Sequence, residues 1–354
     1  MNITFVANQS FEFIDPDFET KGVGGSEYAL ILLTRTLAKR GHRISVFGRS
    51  QNEGAFNGVQ YLNISKFDSE KSYEVLVLFR CAHLWFTLAK AKRKIFWDTD
   101  VVYDCSNWDN LVFPYVDKTI CISPFQRQFL LNNFKHVKPR QLELLDHGVI
   151  REDYFDAPPE VIPKKAGNRL IYCSVPERGL AHLARLFPLI KERVSNAELV
   201  ITSDYSLWGR ETGNQEYKEM LANTKGVSFL GKISRRRLVE LQKSSKVMAY
   251  PCNYLEGFCI AALECIAAGA VPVTTNSYAL TTTVADNGVL IDGNPGEVAY
   301  DAVFVNSIVT LLEDGEYWRD FALRGRQRAL SNYTWESIAK RFEELITSSS
   351  GVKL

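Results

Sequence analysis

Residues 250–273 limit what this 354-residue chain can fold into more than any other stretch. From 259 to 268 every residue is apolar except Glu264. A helix that is apolar on all sides is buried rather than amphipathic. Ala, Leu and Ile suit such a helix, Gly257 permits a tight entry, and Gly269 is placed to close it. The apolar runs 247–250 and 271–274 on either side read as strands, so the helix belongs to an α/β unit.

Burying a carboxylate is costly unless it is paired or hydrogen-bonded. No Lys or Arg lies three or four residues from Glu264, so its partner is either a distant Arg or a ligand. Helical side chains lean toward the N-terminus, which aims Glu264 back at Gly257, Phe258, Cys259 and Ile260. The free N–H groups of a helix start favour an anion such as phosphate. A second carboxylate, Glu256, stands in the loop just before it. Diphosphate at the helix start, a diol at Glu264 and a polar group at Glu256 are the parts of a nucleotide-sugar, in order.

Glu256 and Glu264, with seven residues between them and followed by Ala-Ala-Gly-Ala-Val-Pro-Val, resemble the E-x7-E signature of retaining glycosyltransferases of family 4. The resemblance covers most of 170–345 and is looser before that. It implies that Glu256 contacts the donor sugar and Glu264 the ribose. Gly24-Gly25-Ser26-Glu27 resembles the family's N-terminal sugar-facing loop, although as a dinucleotide fingerprint the glycine run fails. Of the two bases that hold the diphosphate in the family, the second is matched by Arg178, a fair replacement for Lys. Cys173 stands where the first would fall, and Lys232 is a candidate to supply it. Thr99 occupies the place of a His that faces the donor sugar in relatives. Asp98 or Asp100 then takes over a hydroxyl contact, or the three residues simply cap a helix.

Short apolar runs at 3–7, 43–47, 74–79, 94–97, 118–123 and 142–145 alternate with helical stretches, and the pattern restarts at 170–174, 198–203 and 227–230. The expected fold is α/β of the GT-B type: two Rossmann-like, doubly wound domains facing a cleft. The expected domains are 1–162 on the acceptor side, joined by a C-terminal helix in 333–354 that crosses back, and 163–332 on the donor side. The Pro-rich segment 157–165 is the natural linker.

A net charge of +1 gives no electrostatic case for nucleic acid as partner. Seven scattered Cys without a C-x-x-C pair suggest neither a disulfide framework nor a zinc site, and fit a reducing, cytoplasmic setting. The start reads as a strand rather than a signal peptide. Asp98-Thr99-Asp100 and Asp15-Pro16-Asp17 are D-x-D triplets of the kind that holds Mn²⁺ in another glycosyltransferase fold. Such triplets arise by chance, so no metal and no cofactor is expected. The basic runs Lys90, Lys92, Arg93, Lys94 and Arg235, Arg236, Arg237 read as solvated faces, with peripheral membrane contact the lesser alternative. The expectation is a metal-independent retaining hexosyltransferase using GDP-mannose or a UDP-hexose, with a glycan, lipid or protein-linked sugar as acceptor. A sugar-nucleotide epimerase and a non-catalytic nucleotide-sugar-binding protein are the alternatives.

Overall fold

A computed structural model describes residues 1–7, 15–16, 18, 23–50, 52–101, 106–202, 205, 214–222 and 224–348. Asp17 and Ser203, invoked above, lie outside the described residues. The chain folds as two compact units, Met1–Gly148 with Trp335–Leu354, and Val149–Thr334.

The first unit is built on strands whose residues are apolar without alternation, as a parallel sheet covered on both faces requires. They are β1 (Asn2–Val6), β2 (Arg43–Gly48), β3 (Gly54–Phe56), β4 (Val59–Asn63), β5 (Tyr73–Phe79), β6 (Ala91–Trp97), β7 (Lys118–Cys121) and β8 (Leu142–Leu144). Their order across the sheet is β3-β4-β2-β1-β5-β6-β7-β8, and only the β3–β4 pair is antiparallel. That edge hairpin gives no clear sequence signal, being short and half-exposed.

The final helix, Trp335–Thr347, belongs to this unit. Its buried face is Trp335, Ile338, Ala339, Phe342 and Ile346, spaced as one helical stripe. Phe342 stacks on Phe5 of β1 at 6.2 Å, and Trp335 meets Tyr28 at 5.9 Å. Arg40 and Asp146 pair with Glu343 and Arg341 at 2.6 and 2.7 Å.

The second unit has a six-stranded parallel sheet in the order β11-β10-β9-β12-β13-β14. Its strands are β9 (Asn168–Tyr172), β10 (Ala197–Ile201), β11 (Val227–Phe229), β12 (Val247–Tyr250), β13 (Val271–Thr275) and β14 (Val289–Ile291). This is the doubly wound order whose strand sequence reverses between β9 and β12, and ligands bind such sheets beyond the carboxyl ends of the strands at that point. The segment expected as linker lies inside this unit. Arg326 donates to Pro159 O at 3.0 Å, and Lys165 Nζ to Lys243 O and Ala268 O at 3.0 and 2.9 Å. The chain leaves the first unit before the prolines, at Gly148, where a Cβ would sit 2.9 Å from the Trp335 ring.

Candidate active site

In the second unit the chain leaving β9 forms a 3-10 turn, Pro176–Arg178, ended by Gly179 at φ 125°. A Cβ at Gly179 would lie 2.1 Å from Pro251 O, so glycine lets this turn rest against the chain leaving β12. That contact brings Arg178 to Glu256. Arg178 Nη1 donates to Glu256 Oε1 at 2.9 Å, and the guanidinium lies over the Tyr254 ring at 4.4 Å. Tyr250, at the end of β12, donates its hydroxyl to the same oxygen at 2.5 Å, and Ser174 donates to Tyr250 at 3.3 Å. Glu256 is 4% exposed, and no donor among the described residues reaches its Oε2.

Burial by itself would lower the Arg178 guanidinium, but Glu256, Tyr250 and Tyr254 outweigh it and hold it above its ordinary value. Burial, and then Glu256, raise the Tyr250 phenol, which stays a donor. Cys252 is pushed up to about 12 by burial, with Glu256 adding to it.

The buried helix runs Ile260–Ala267, and Cys259 is its N-cap at φ 72°. An L-residue in that left-handed region costs about 1–3 kcal/mol, and such residues cluster where a chain clamps a ligand. The surroundings enforce it: Thr283 donates to Phe258 O, and Ala279 N–H to Glu256 O at 3.2 Å. Gly257, Phe258 and Cys259 are buried, while Ile260 and Ala261, whose N–H groups open the helix without an intrahelical acceptor, are partly exposed. At the other end Gly269, at φ 72°, closes the helix. Arg326 donates to Ala267 O at 2.6 Å and Lys165, which burial lowers to about 7, to Ala268 O at 2.9 Å, two basic side chains on the negative end of the dipole.

Glu264, 4% exposed, has the distant Arg that the sequence left as one of two partners. Arg235 Nη1 donates to its Oε1 at 2.5 Å and Gln242 Nε2 to its Oε2 at 3.2 Å. The basic run is therefore split. Arg236 is 92% exposed at its side chain and Arg237 is exposed, whereas the Arg235 side chain is only 10% exposed. Arg235 opens the Arg235–Ser244 helix behind the Ser234 cap and shares a face with Val239 and Gln242, both buried. A cation on an otherwise buried face was the available signal.

Cys173, placed where relatives carry a base, faces Cys265 with the sulfurs 3.7 Å apart. None of Cys81, Cys121, Cys173, Cys252, Cys259 and Cys265 is in a disulfide. Lys232 is exposed and makes no ion pair among the described residues. Among the described residues no group of three or more His, Cys, Asp or Glu is placed to hold a metal ion. Likewise, no helix there is long and apolar enough to cross a membrane.

In the first unit the corresponding switch point lies between β1 and β5. Gly24 caps the Gly25–Lys39 helix in extended conformation, and a Cβ there would meet Glu27 Oε2 at 2.6 Å. Ser26 Oγ and Thr99 Oγ1 are 2.7 Å apart. Arg80, following β5 at φ 47°, pairs with Asp100. Gln126 donates to Asp100 O at 2.8 Å. Asp98 is 1% exposed, and burial and then Asp100 raise its carboxyl well above the usual range. Thr99 and Asp100 are partly exposed, so the triplet divides into a buried acid and two surface groups. Burial also raises Glu27.

Two doubly wound sheets with a last helix returning to the first define an α/β protein of the GT-B fold. A crystal structure of the Anabaena protein Alr3699/HepE in complex with UDP and glucose superposes with a TM-score of 0.74, at 16% identity, over 99% of this chain and 100% of that one. More particularly, residues 168–328, within the second unit, match the family model described as Glycosyl transferases group 1. A lipopolysaccharide 1,2-N-acetylglucosaminetransferase of Salmonella typhimurium is 26% identical over 175 residues, 48% of this chain and 45% of that protein. An alpha-maltose-1-phosphate synthase of Mycolicibacterium smegmatis is 24% identical over 270 residues, 69% of this chain and 66% of that protein. The alignments thus span about half to two thirds of these curated relatives.

Proposed function

We propose that the protein is a glycosyltransferase that moves a hexose from a nucleoside-diphosphate sugar to an acceptor hydroxyl, with retention at the anomeric carbon. The observation that carries this reading is the pair of buried glutamates flanking one helix start at the switch point, Glu256 with an unfilled Oε2 and Glu264 one turn inside. The N–H groups of Ile260 and Ala261 and the guanidinium of Arg178 meet the diphosphate, whose charge grows as it leaves. The bond from the anomeric carbon to phosphate oxygen breaks, and the bond to the acceptor oxygen forms on the same face. The acceptor's proton passes to the departing phosphate oxygen. Such a course needs no protein nucleophile, and Glu256 is left to hold a sugar hydroxyl. GDP-mannose or a UDP-hexose is the favoured donor, and a glycan, glycolipid or glycoprotein the acceptor. Gly24, Gly25 and Thr99 belong to the same reading as sugar-facing groups, and Lys232 as an auxiliary cation.

The test is donor consumption, with a panel of UDP-, GDP- and ADP-sugars, with and without mixed sugar acceptors. Transfer should depend on acceptor, survive excess EDTA, and give a product whose anomeric NMR coupling matches the donor. Inversion of configuration, or activity lost to EDTA and restored by Mn²⁺, refutes the corresponding part. A changed sugar in recovered nucleotide indicates an epimerase, and a melting shift without consumption a binding protein.

A further inference from the structure

Behind Glu264 lies a set of polar side chains that the donor-site reading does not use. Arg235 spends one edge on Glu264 Oε1 and the other on Asp153 Oδ2, at 2.9 Å from Nη2 and 3.1 Å from Nε. Its Nη2 also donates to Tyr154 Oη at 3.0 Å. Tyr154 in turn donates to Gln242 Oε1 at 2.6 Å, and Gln242 returns to Glu264 Oε2. Tyr154 and Gln242 are fully buried. Each carboxylate oxygen has two acceptor positions, so one on each oxygen is filled from behind and one on each is left.

We infer that Arg235 is the positioning residue of the donor site: with Gln242 it fixes the plane of Glu264 so that its two remaining acceptor positions match the two adjacent hydroxyls of a ribose. The inference rests on the transferase reading and adds to it a residue and a selectivity. Asp153 holds the guanidinium from the far side, so Arg235 is not free to swing to a phosphate. Its charge offsets the cost of burying the Glu264 carboxylate. Without it the carboxylate would be buried, unpaired and free to rotate about its last bond. Gln242 alone cannot set both oxygens.

A residue that shapes a diol acceptor differs from one that merely supports the fold in the ligand it discriminates. The experiment measures, by calorimetry, the affinity of UDP, GDP and ADP and of their 2′-deoxy counterparts for wild type, Arg235→Met, Arg235→Lys and Asp153→Asn. Wild type should prefer the ribo form of its best ligand by about tenfold or more, the worth of a charge-assisted hydrogen bond. Arg235→Met should weaken the ribo form and leave the 2′-deoxy form nearly unchanged, drawing the ratio toward one. Arg235→Lys, which keeps the charge but supplies a point donor, should restore part of the ratio. Asp153→Asn leaves the Arg235–Glu264 pair in place and serves where Arg235→Met does not fold; it should reduce the ratio less. Equal weakening of ribo and 2′-deoxy ligands, or a ratio unmoved in Arg235→Lys and Asp153→Asn, overturns the assignment. Wild type that binds a nucleoside diphosphate without ribo preference overturns it too, and wild type that binds none refutes the transferase reading beneath it.

Discussion

Glu256→Gln is the most informative single change, because the structure predicts opposite signs for two quantities usually expected to fall together. The substitution keeps shape but removes the charge that Arg178 faces at 2.9 Å. Breaking a buried pair by removing one partner costs about 3–5 kcal/mol, because it strands the other charge. The Arg178 side chain is 24% exposed and also rests on Tyr254, so a cost at or below the low end, about 2–3 kcal/mol, is expected here. For a unit the size of Val149–Thr334, each kcal/mol shifts the midpoint by about 2–4 °C, so scanning calorimetry should show a drop of about 4–12 °C. The freed guanidinium no longer answers to a carboxylate and becomes available to phosphate. Free nucleoside diphosphate should therefore bind Glu256→Gln as tightly as wild type or several-fold more tightly, while sugar transfer falls about tenfold to a hundredfold. Circular dichroism at the assay temperature checks that the variant is folded under assay conditions. An unchanged midpoint with weakened diphosphate binding would refute the reasoning, since it would mean that Arg178 and Glu256 do not compete.

Other perturbations test neighbouring parts. Gly179→Ala combines a positive φ with a 2.1 Å approach to Pro251 O, so it should displace the Arg178 turn, lower the midpoint and weaken nucleoside diphosphate, all read in one melting-shift titration. His147, buried between Trp97 and Trp335, is held down to about 3 by burial. The unfolded chain takes up that proton as pH falls through about 6.5 and the folded one does not, so stability is lost between about pH 6.5 and 3. Urea unfolding at pH 7 and 4.5 should show that loss, and His147→Gln should reduce it; an equal loss in both refutes the assignment. Trp335→Ala, from a site 2% exposed, should cost about 3–5 kcal/mol in the first unit, seen as an earlier near-ultraviolet transition, and no shift would place the last helix elsewhere.

Much of the fold is legible in the sequence because its strands are short apolar runs between helices, and that pattern has few solutions. The helix around Glu264 is legible for a chemical reason, since a lone carboxylate in apolar surroundings demands a partner. Which partner is not legible. Arg235 stands 29 residues away, in a run of three arginines; its helical spacing to Val239 and Gln242 singles it out, but only the packing of that helix shows that it reaches Glu264. Tyr250 reads as a strand residue and no more, because nothing in its neighbourhood shows that Glu256 returns to its hydroxyl. The boundary of the second unit is misplaced by the sequence for a similar reason. Prolines mark a change of direction, but Lys165 and Arg326 show that this segment is held beneath a helix end rather than left between domains.

The second unit begins and ends at one place: Val149 N–H donates to Tyr333 O at 2.7 Å, and Val149 bridges Thr334 in parallel. During synthesis an ordinary two-domain chain finishes its N-terminal domain first. Here the order is reversed. The second unit has all its strands once Thr334 has emerged, while the first still lacks Trp335, Ile338 and Phe342 over β1 and the Gly25–Lys39 helix. On the ribosome the first unit therefore keeps an apolar face uncovered until the Trp335–Thr347 helix has emerged. A chain cut before Trp335 would leave that face open around Phe5 and Tyr28, far from the break in sequence.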